Sequence, residues 1–574
     1  MILLNILRFS VVLSVVCCAD WWENGNFYQI YPRSFMDSNA DGIGDLNGIA
    51  SKLEYLKEIG VTGTWLSPIF KSPMKDFGYD TEDYRSIQPE YGTMADFENL
   101  VARCKALDIK LILDFVPNHT SDLHDWFIRS VNREEEYKDY YIWHPGKVVN
   151  GERAPPNNWV SVFRYSAWEW NDIRKEYYLH QFVKEQPDLN YRNPKVVQAM
   201  KEVLIFWMEK GVSGFRVDAV PYLFEVEADE NGDYPDEPLS GECDDPDSSC
   251  YLSHIYTQNI DETFEMAYQW REVLDKFTLE HGTETKIMMT EAYTSLENEI
   301  RFYTDGTVNG SQIPFNFELI SFINKESTAK DYKFRINSWL SLMPEGYQAN
   351  WVMGNHDNKR LASRFGVART DLMNILLQTL PGIAVTYNGE ELGMTDVYIP
   401  WNQTVDPAAC NTNETVFHTF SRDPARTPFQ WDDSVSAGFS TNKTTWLPVA
   451  TDYKTNNVKL QKLSPFSHLK IFKKLTKLRR TKTFTDGDLN VVALDDDILV
   501  YERTLSGEDT YIILLNVSSN NRVVDLTKVF ANLPARLEVI TSSLRSPSLY
   551  LAGDVVNTAS VRAYPQVGTV FVAV

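Results

Sequence analysis

Gly214-Phe215-Arg216-Val217-Asp218-Ala219-Val220 closes an apolar run that begins at Gly211. The run predicts a short buried β-strand, and side chains two positions apart on a strand point to the same face. Arg216 and Asp218 therefore share a face. A neighbouring guanidinium keeps a carboxyl group ionised, which is the form that a nucleophile needs. A structural ion pair would explain this heptapeptide equally well, so the rest of the chain has to decide between the two interpretations.

The composition indicates a large folded protein. The chain has 574 residues, of which 43% are hydrophobic and 13% aromatic, so we expect two or three domains. The formal net charge of −24 argues against nucleic acid and anionic membranes as partners. Much of the acidic excess lies in the segment 225–247, which has 11 acidic residues and no Lys or Arg. We interpret that segment as a solvated surface loop.

The first 19 residues predict a secretory signal peptide. An apolar stretch from Phe9 to Val16 is too short to span a bilayer, and small residues follow before Asp20. An uncleaved anchor is the alternative. No other apolar segment is long enough to cross a membrane, so we expect a secreted, extracellular protein with no membrane span after cleavage.

The cysteine and asparagine patterns agree with export. Cys243 and Cys250 flank a segment that turns readily, and we predict that they form a disulfide. We expect Cys104 to be a buried thiol and leave Cys410 without a partner. Sequons predict glycans at Asn309, Asn402, Asn413, Asn442 and Asn516. The sequon at Asn118 lies at a strand end, where we predict no glycan.

From residue 27 onward, apolar strands alternate with amphipathic helices. The predicted strands are 27–35, 61–70, 110–117, 211–220, 286–292, 312–317, 349–354 and 383–387, and the clearest helices are 94–106 and 194–210. Eight β/α units predict an α/β protein of the (β/α)8 TIM-barrel class. Catalytic groups in such barrels lie at the C-terminal ends of the strands, and polar side chains follow several of these strands.

The remaining segments predict two further domains. About 75 residues, 119–193, separate the third strand from the next helix, and we expect a small inserted domain that roofs the cleft. The barrel then comprises 20–118 and 194–482. Residues 483–574 contain several short strands and predict a C-terminal antiparallel β-sandwich.

Five motifs in order give the chain a resemblance to a known family. They are Asp114-Phe115-Val116-Pro117-Asn118-His119, Gln186-Pro187-Asp188-Leu189-Asn190, Gly214-Phe215-Arg216-Val217-Asp218, Thr290-Glu291-Ala292 and Asn355-His356-Asp357. The chain resembles the α-amylase superfamily, glycoside hydrolase family thirteen, in its α-glucosidase branch. Its overall pattern is similar to that of secreted insect maltases, and the resemblance covers nearly the whole mature chain.

The resemblance implies catalytic roles for three carboxyl groups. Asp218 would be the nucleophile of a retaining mechanism, and Glu291 would act first as general acid and then as general base. Asp357 would bind sugar hydroxyls and favour the distorted, oxocarbenium-like ring. We expect release of α-glucose from the non-reducing ends of maltose, sucrose and short α-1,4 oligosaccharides.

Other residues are implied to bind the sugar. His119 and His356 would donate hydrogen bonds to glucose hydroxyls, and Asp80 would pair with Arg422 at a closed pocket floor. Tyr79, Phe163, Gln186 and Arg216 complete the predicted substrate-binding set. Ala219 departs from the Thr or Val that relatives carry after the nucleophile, and we favour α-1,4 over α-1,6 linkages. Tyr165 replaces a Gly that many relatives have.

A separate loop predicts a structural Ca²⁺. Its oxygen ligands alternate along Asp37, Asn39, Asp41, Ile43 and Asp45, with Gly42 at the turn. In the resembled glucosidases a similar loop holds calcium, and the alternative is an empty Asx-rich turn. We expect no organic cofactor.

A second class of function remains open. The resembled family includes non-catalytic members, such as the ectodomains of amino-acid-transporter heavy chains. The alternative function is therefore that of a heavy-chain-like ectodomain or a surface binding protein. Those heavy chains carry a cytoplasmic N-terminus and a membrane span. Some of them also lack the acid or the nucleophile. Asp218, Glu291 and Asp357 are all present here, which favours the enzyme.

Overall fold

The structure, a computed structural model, describes residues 20–545 and 550–574. The predicted signal peptide, residues 1–19, lies outside the described residues. Within the described ranges, no helix has both the length and the apolar character needed to cross a membrane.

Eight parallel strands form one sheet, as predicted. They are Asn26–Ile30, Gly63–Leu66, Lys110–Phe115, Gly214–Val217, Ile287–Thr290, Ile313–Pro314, Asn350–Val352 and Ile383–Tyr387. In space they follow the order six, five, four, three, two, one, eight, seven, which is the order around a TIM barrel. Seven of the eight strands are shorter than the predicted ranges, and the eighth, Ile383–Tyr387, has the predicted bounds. The first, for example, ends at Ile30, since Pro32 begins a short 3₁₀ turn.

The side chains of the barrel strands alternate between two environments. Ile112, Ile287 and Met289 belong to a cluster inside the barrel, whereas Phe215 and Val217 pack in the layer between strands and helices. Phe215 and Val217 thus face outward. Arg216 and Asp218 alternate with them along the chain, so they face the inside of the barrel, as the period of two predicted.

The barrel closes through a side chain between strands six and seven. In the described structure these two strands share no backbone ladder. Instead, Asn350 Nδ2 donates to the carbonyl oxygen of Pro314 at 2.5 Å, and Asn350 Oδ1 accepts from the backbone N–H of Asn316 at 2.9 Å. Asn350 is fully buried. One amide thus supplies the two hydrogen bonds that backbone pairing would otherwise provide.

Helices surround the barrel and follow the expected signals. Thr93 and Asp96 form a capping box before Met94–Ala106, and Asn193 caps Pro194–Glu209, which has Pro at its first position. The other α-helices are Leu46–Ser51, Leu53–Glu58, Asp125–Val131, Asp261–His281, Leu296–Arg301, Glu318–Phe322, Ala329–Leu342, Leu361–Phe365, Thr370–Thr379, Pro407–Cys410, Val458–Leu463, His468–Leu478 and Lys482–Thr485.

The segment between the third and fourth barrel strands has its own small sheet. Trp143–His144, Glu176–Leu179 and Trp168–Asn171 pair antiparallel, and Lys147–Val149 forms a hairpin with Glu152–Ala154. An aromatic cluster that includes Trp159 and Trp168 supports this sheet.

The C-terminal region contains a six-stranded antiparallel sheet. Its strands, in spatial order, are Asp488–Ala493, Ile498–Thr504, Tyr511–Asn516, Gly568–Ala573, Arg536–Ser542 and Val555–Asn557. A two-stranded ribbon of Arg522–Val524 and Val561–Ala563 covers one face. The other face packs on barrel elements, including the helix Thr370–Thr379. The sheet therefore buries both faces.

The cysteines lie as predicted. Cys243 and Cys250 form a disulfide with their Cα atoms 5.8 Å apart, which confirms the predicted pair. Among the described cysteines, Cys104 is a buried free thiol and Cys410 is an exposed one.

One predicted glycosylation site is incompatible with the structure. Asn309, Asn402 and Asn413 are exposed and Asn442 is half-buried. Asn516, in contrast, is fully buried, and its Nδ2 donates to the carbonyl oxygens of Asn520 at 2.7 Å and Ala563 at 3.0 Å. A glycan would have to attach to that nitrogen, so the prediction at Asn516 was wrong. Asn118 is also buried, and its lack of a glycan stays a prediction.

Replacing Asn350 with alanine tests how the barrel closes. We expect Asn350→Ala to lower the free energy of unfolding by about 2 to 3 kcal/mol, because it leaves the buried N–H of Asn316 without an acceptor. Differential scanning calorimetry would measure the lower Tm. Asn231→Ala, at an exposed position, is the control and should leave Tm unchanged. Equal Tm values for both variants would contradict this account of the closure.

Candidate active site

A small cavity opens at the C-terminal ends of the barrel strands. Its volume is about 210 Å³. It is lined by Asp76, Tyr79, His119, Val162, Phe163, Phe182, Gln186, Asp218, Ala219, Pro221, Tyr222, Glu291, Tyr293, His356, Asp357 and Arg422. Nine of the eleven predicted catalytic and substrate-binding residues are in this set. Arg216 lies directly behind the cavity wall, and Asp80 does not line the cavity.

The Arg216 guanidinium holds three carboxyl groups together. Arg216 is 1% exposed and extends inward from the fourth strand. Its Nη1 contacts a carboxylate oxygen of Asp218 and lies 3.0 Å from Asp114 Oδ1, and its Nη2 lies 3.6 Å from Glu291 Oε2. The guanidinium lies over the indole ring of Trp65, with Arg216 Cζ 4.8 Å from the ring centroid. One cation therefore fixes the side chains that end strands three, four and five.

A strained residue after Asp218 orients Glu291. Ala219 has φ 49° and ψ 36°, a left-handed conformation that costs a residue with a Cβ roughly 1–2 kcal/mol. In this conformation its N–H donates to Glu291 Oε2 at 2.8 Å. The N–H of Val220 donates to the Glu291 carbonyl oxygen at 3.2 Å. The turn after the fourth strand thus holds both the backbone and the side chain of Glu291.

Burial raises the pKa of both central carboxyl groups. For Asp218 the next influence is Arg216, which lowers the pKa, and Glu291 then raises it. For Glu291, Arg216 also lowers the pKa and Asp357 raises it. Asp218 is in direct contact with the guanidinium, whereas Glu291 lies 3.6 Å away. This difference favours the ionised form at Asp218 and the protonated form at Glu291.

Asp357 has the opposite electrostatic setting. Its Oδ1 lies 3.0 Å from Arg426 Nη2 and 3.3 Å from Arg422 Nη1. Burial raises its pKa, but the guanidiniums of Arg422 and Arg426 outweigh burial and hold the pKa well below its ordinary value. Asp357 is therefore ionised at neutral pH.

The two histidines are neutral and hydrogen-bonded. Burial lowers the pKa of His119 to about 3 and that of His356 well below its ordinary value. Gln29 Nε2 lies 2.9 Å from Nδ1 of His356, so this nitrogen accepts and Nε2 carries the proton. Nε2 lies 2.6 Å from Tyr79 Oη, and Tyr79 Oη donates to Asp114 at 3.2 Å. This chain of hydrogen bonds links His356 to the carboxylate that anchors Arg216.

The predicted pair of Asp80 with Arg422 was wrong, because Asp76 occupies that position. Arg422 Nη2 lies 2.9 Å from Asp76 and 2.6 Å from Asp406. Asp80 is fully buried and accepts from Ser72 Oγ at 2.8 Å and from the N–H groups of residues 75 and 76 at 2.8 and 3.0 Å. Its carboxylate closes the turn that presents Asp76, and so it has no free oxygen directed at the cavity.

Gln186 and Phe163 complete this end of the cavity. Gln186 Nε2 lies 3.0 Å from His119 Nε2 and 3.4 Å from Asp76 Oδ2. The Phe163 ring lies under the Arg422 guanidinium, 4.9 Å from it.

Several residues that shape the site were not found from the sequence. They are Asp76, Asp406 and Arg426, together with the lining residues Val162, Phe182, Pro221, Tyr222 and Tyr293. Asp406 caps the short helix Pro407–Cys410, and an Asp before a Pro predicts such a cap. The same pattern gives no information about the pairing with Arg422, which depends on tertiary structure.

The predicted calcium loop has suitable oxygen atoms that already bind its backbone. Asp37 accepts from the N–H groups of Ala40 at 2.7 Å and Gly42 at 2.8 Å. Asp45 accepts from the N–H groups of Ser38 and Gly48, both at 2.7 Å. In the part of the chain that the structure describes, no three Asp, Glu, His or Cys side chains converge as a ready metal site. Calcium binding stays a prediction.

The fold and this cavity define a barrel hydrolase of the glycosidase type, and the chain belongs to the alpha-amylase family. Residues 29–487 match the family described as "Alpha amylase, catalytic domain". The chain is 59% identical to Maltase A1 of Drosophila melanogaster, over 98% of each chain. It is 55% identical to a salivary alpha-glucosidase of Aedes aegypti, over 92% of this chain and 91% of the relative.

A solved structure agrees with this family. The crystal structure of the alpha-glucosyl transfer enzyme XgtA matches this fold with a TM-score of 0.83. The two sequences are 30% identical, and the match covers 97% of this chain and 100% of XgtA.

Proposed function

We propose that this chain is a retaining α-glucosidase that removes single glucose units from the non-reducing ends of maltose, sucrose and short α-1,4 oligosaccharides. The observation that carries the proposal is the convergence of Asp218, Glu291 and Asp357 on one small cavity. The names of the two relatives, a maltase and an alpha-glucosidase, support the substrate class.

In the first step, an ionised Asp218 oxygen attacks the anomeric carbon of the terminal glucose. The bond from that carbon to the glycosidic oxygen breaks as the ester bond to Asp218 forms. Glu291 gives its proton to the departing oxygen, so the remaining sugar leaves as a neutral alcohol. The contact between Arg216 and Asp218 supports this assignment of the proton.

In the second step, water replaces the departed sugar. Glu291, now ionised, takes a proton from the water, whose oxygen attacks the anomeric carbon and breaks the ester. Two inversions at the same carbon give α-glucose as the product. Asp357 stays ionised throughout and stabilises the positive charge that develops on the ring.

The closed end of the cavity supports exo-action. Arg422 pairs with three carboxylates, those of Asp76, Asp357 and Asp406, and Phe163 lies beneath it. A chain that continued beyond the terminal glucose would have to displace these buried ion pairs. The small side chain of Ala219 lines the cavity and supports a preference for α-1,4 linkages.

The second candidate is a non-catalytic binding protein of the heavy-chain type. The presence of all three carboxyl groups in one cavity favours the enzyme over this candidate. We also propose that the protein acts outside the cell. The disulfide between Cys243 and Cys250 and the salivary relative support this location.

Two isosteric variants test the catalytic roles. We expect Asp218→Asn to abolish glucose release from maltose, because the amide is a poor nucleophile. Glu291→Gln should lower the maltose rate by about 10²–10⁴-fold, the range typical of lost general acid catalysis. ¹H NMR should identify α-glucose as the first product of the wild type.

An aryl α-glucoside separates the two roles, because p-nitrophenolate leaves without needing a proton. A burst of p-nitrophenol should appear with Glu291→Gln and be absent with Asp218→Asn. No glucose from maltose, sucrose or isomaltose with folded wild-type protein would favour the binding protein instead.

The corrected floor residue has its own test. Asp76→Asn should raise KM for maltose, because it weakens the hold on Arg422 at the floor of the cavity. Asp80→Asn should instead lower Tm, because it disturbs the turn, and should have the smaller effect on KM. Steady-state kinetics and calorimetry on both variants would measure the difference. A larger rise in KM for Asp80→Asn than for Asp76→Asn would reverse the correction.

We further propose that the loop of Asp37, Asn39, Asp41, Ile43 and Asp45 binds a structural Ca²⁺ through its oxygen atoms. Protein passed through a chelating resin should gain thermal stability when Ca²⁺ is added, and elemental analysis should find calcium in the untreated protein. Asp41→Ala should lose the gain while keeping the buried Asp37 and Asp45. A Tm that does not respond to Ca²⁺ would reject the site.

A further inference from the structure

We propose that Asp245, in the loop closed by the Cys243–Cys250 disulfide, is a positioning residue for the sugar pocket. Through Arg164 it holds the turn that carries Phe163, and so it sets how tightly the pocket binds a terminal glucose. This inference rests on the proposed α-glucosidase activity.

The turn that carries Phe163 is held in an unfavourable conformation. Arg164 has φ 78° and Tyr165 has φ 66°, and neither residue is a glycine. Left-handed conformations cost roughly 1–3 kcal/mol for each such residue and persist only where the surroundings enforce them. Within the turn, the N–H of Ser161 donates to the carbonyl oxygen of Tyr165 at 2.8 Å. The N–H of Arg164 donates to the carbonyl oxygen of Ser161 at 3.1 Å. Further support comes from outside the turn.

The disulfide loop supplies that support through two contacts. Arg164 Nη2 lies 2.7 Å from Asp245 Oδ2, and the N–H of Tyr165 donates to the carbonyl oxygen of Asp247 at 2.9 Å. Both left-handed residues are therefore bound to the same loop. The Asp245 carboxylate also accepts from the N–H of Asp247 at 3.2 Å, so one side chain orders the loop and holds the turn.

The loop itself is short and cross-linked. The disulfide joins residues only seven positions apart, which limits the conformations of the segment that presents Asp245 and Asp247. The segment also carries part of the acidic run noted in the sequence, and its three acids, Asp244, Asp245 and Asp247, are all exposed. Among these three, Asp245 is the acid whose side chain forms an ion pair in the described structure, the one with Arg164.

The turn reaches the pocket through Phe163. The Phe163 ring lines the cavity and lies under the Arg422 guanidinium, which pairs with Asp76 and Asp357. The backbone carbonyl oxygen of Phe163 accepts a hydrogen bond from Asn411 Nδ2 at 2.8 Å. A turn released from Asp245 would let the ring move away from Arg422 while leaving Asp218 and Glu291 in place.

This arrangement predicts a change in binding and not in chemistry. An interaction that acts equally on the ground state and the transition state changes KM and leaves kcat. The side chains of Arg164 and Asp245 are 15% and 46% exposed, so added salt should screen the pair and weaken the pocket in the same way.

The experiment measures KM and kcat for maltose in wild type, Asp245→Ala, Arg164→Ala and the double variant. We expect each single change to raise KM about two- to fivefold, as for a partly exposed ion pair, with kcat nearly unchanged. The double variant should match the single ones, because both remove the same interaction. Sodium chloride should raise KM in the wild type more than in Asp245→Ala. Asp244→Ala, in the same loop, is the matched control and should behave as wild type.

A second measurement does not depend on activity. Hydrogen–deuterium exchange of the peptide 160–166 should be faster in Asp245→Ala than in wild type or Asp244→Ala. The conservative variant Asp245→Glu keeps the charge, so it should show slow exchange and a low KM. This variant provides the test if Asp245→Ala folds poorly. An active wild type with the same KM and exchange in Asp245→Ala would overturn the inference. An inactive wild type with the expected exchange would reject the proposed function and keep the positioning role.

Discussion

The buried guanidinium of Arg216 is the interaction on which the rest of the site depends. It reaches Asp114 from strand three, Asp218 at the end of its own strand four and Glu291 after strand five. Parallel pairing sets Arg216 opposite Asp114 in the sheet, so the ion pair and the backbone register specify each other. Removal of this one cation would leave several carboxyl groups buried without a counter-charge, which costs several kcal/mol. The same residue is therefore needed for folding and for the order of the reacting groups.

A second cationic centre, Arg422 with Arg426, performs the same task at the closed end of the cavity. The two centres are not independent, because His356 connects them. His356 lies 3.4 Å from Asp357, which is held by Arg422 and Arg426, and 2.6 Å from Tyr79, which bonds to Asp114. Substrate specificity and catalysis thus rest on one continuous polar network in which nearly every member is buried.

The sequence predicted what depends on local order and on strand ends. All eight strands, the disulfide and the carboxyl groups of Asp218, Glu291 and Asp357 have short-range signals, such as a period of two or a fixed motif. Asp76 escaped because its neighbour Asp80 lies in the same turn, and only the folded turn decides which carboxylate faces the cavity. Asp406 was missed because its distance from Arg422 is fixed by a long loop. The closure by Asn350 and the burial of Asn516 likewise depend on contacts between distant segments.

The charges gathered around the cavity have a consequence for which sugars can enter. Six carboxyl groups, those of Asp76, Asp114, Asp218, Glu291, Asp357 and Asp406, face only three guanidiniums, those of Arg216, Arg422 and Arg426. Even with one proton on Glu291, the balance is negative. A glucoside that bears a phosphate or a uronic acid group would be repelled from such a site, whereas a neutral glucoside pays no such electrostatic cost. The charge balance thereby favours uncharged glucosides over phosphorylated or oxidised ones without a dedicated specificity residue.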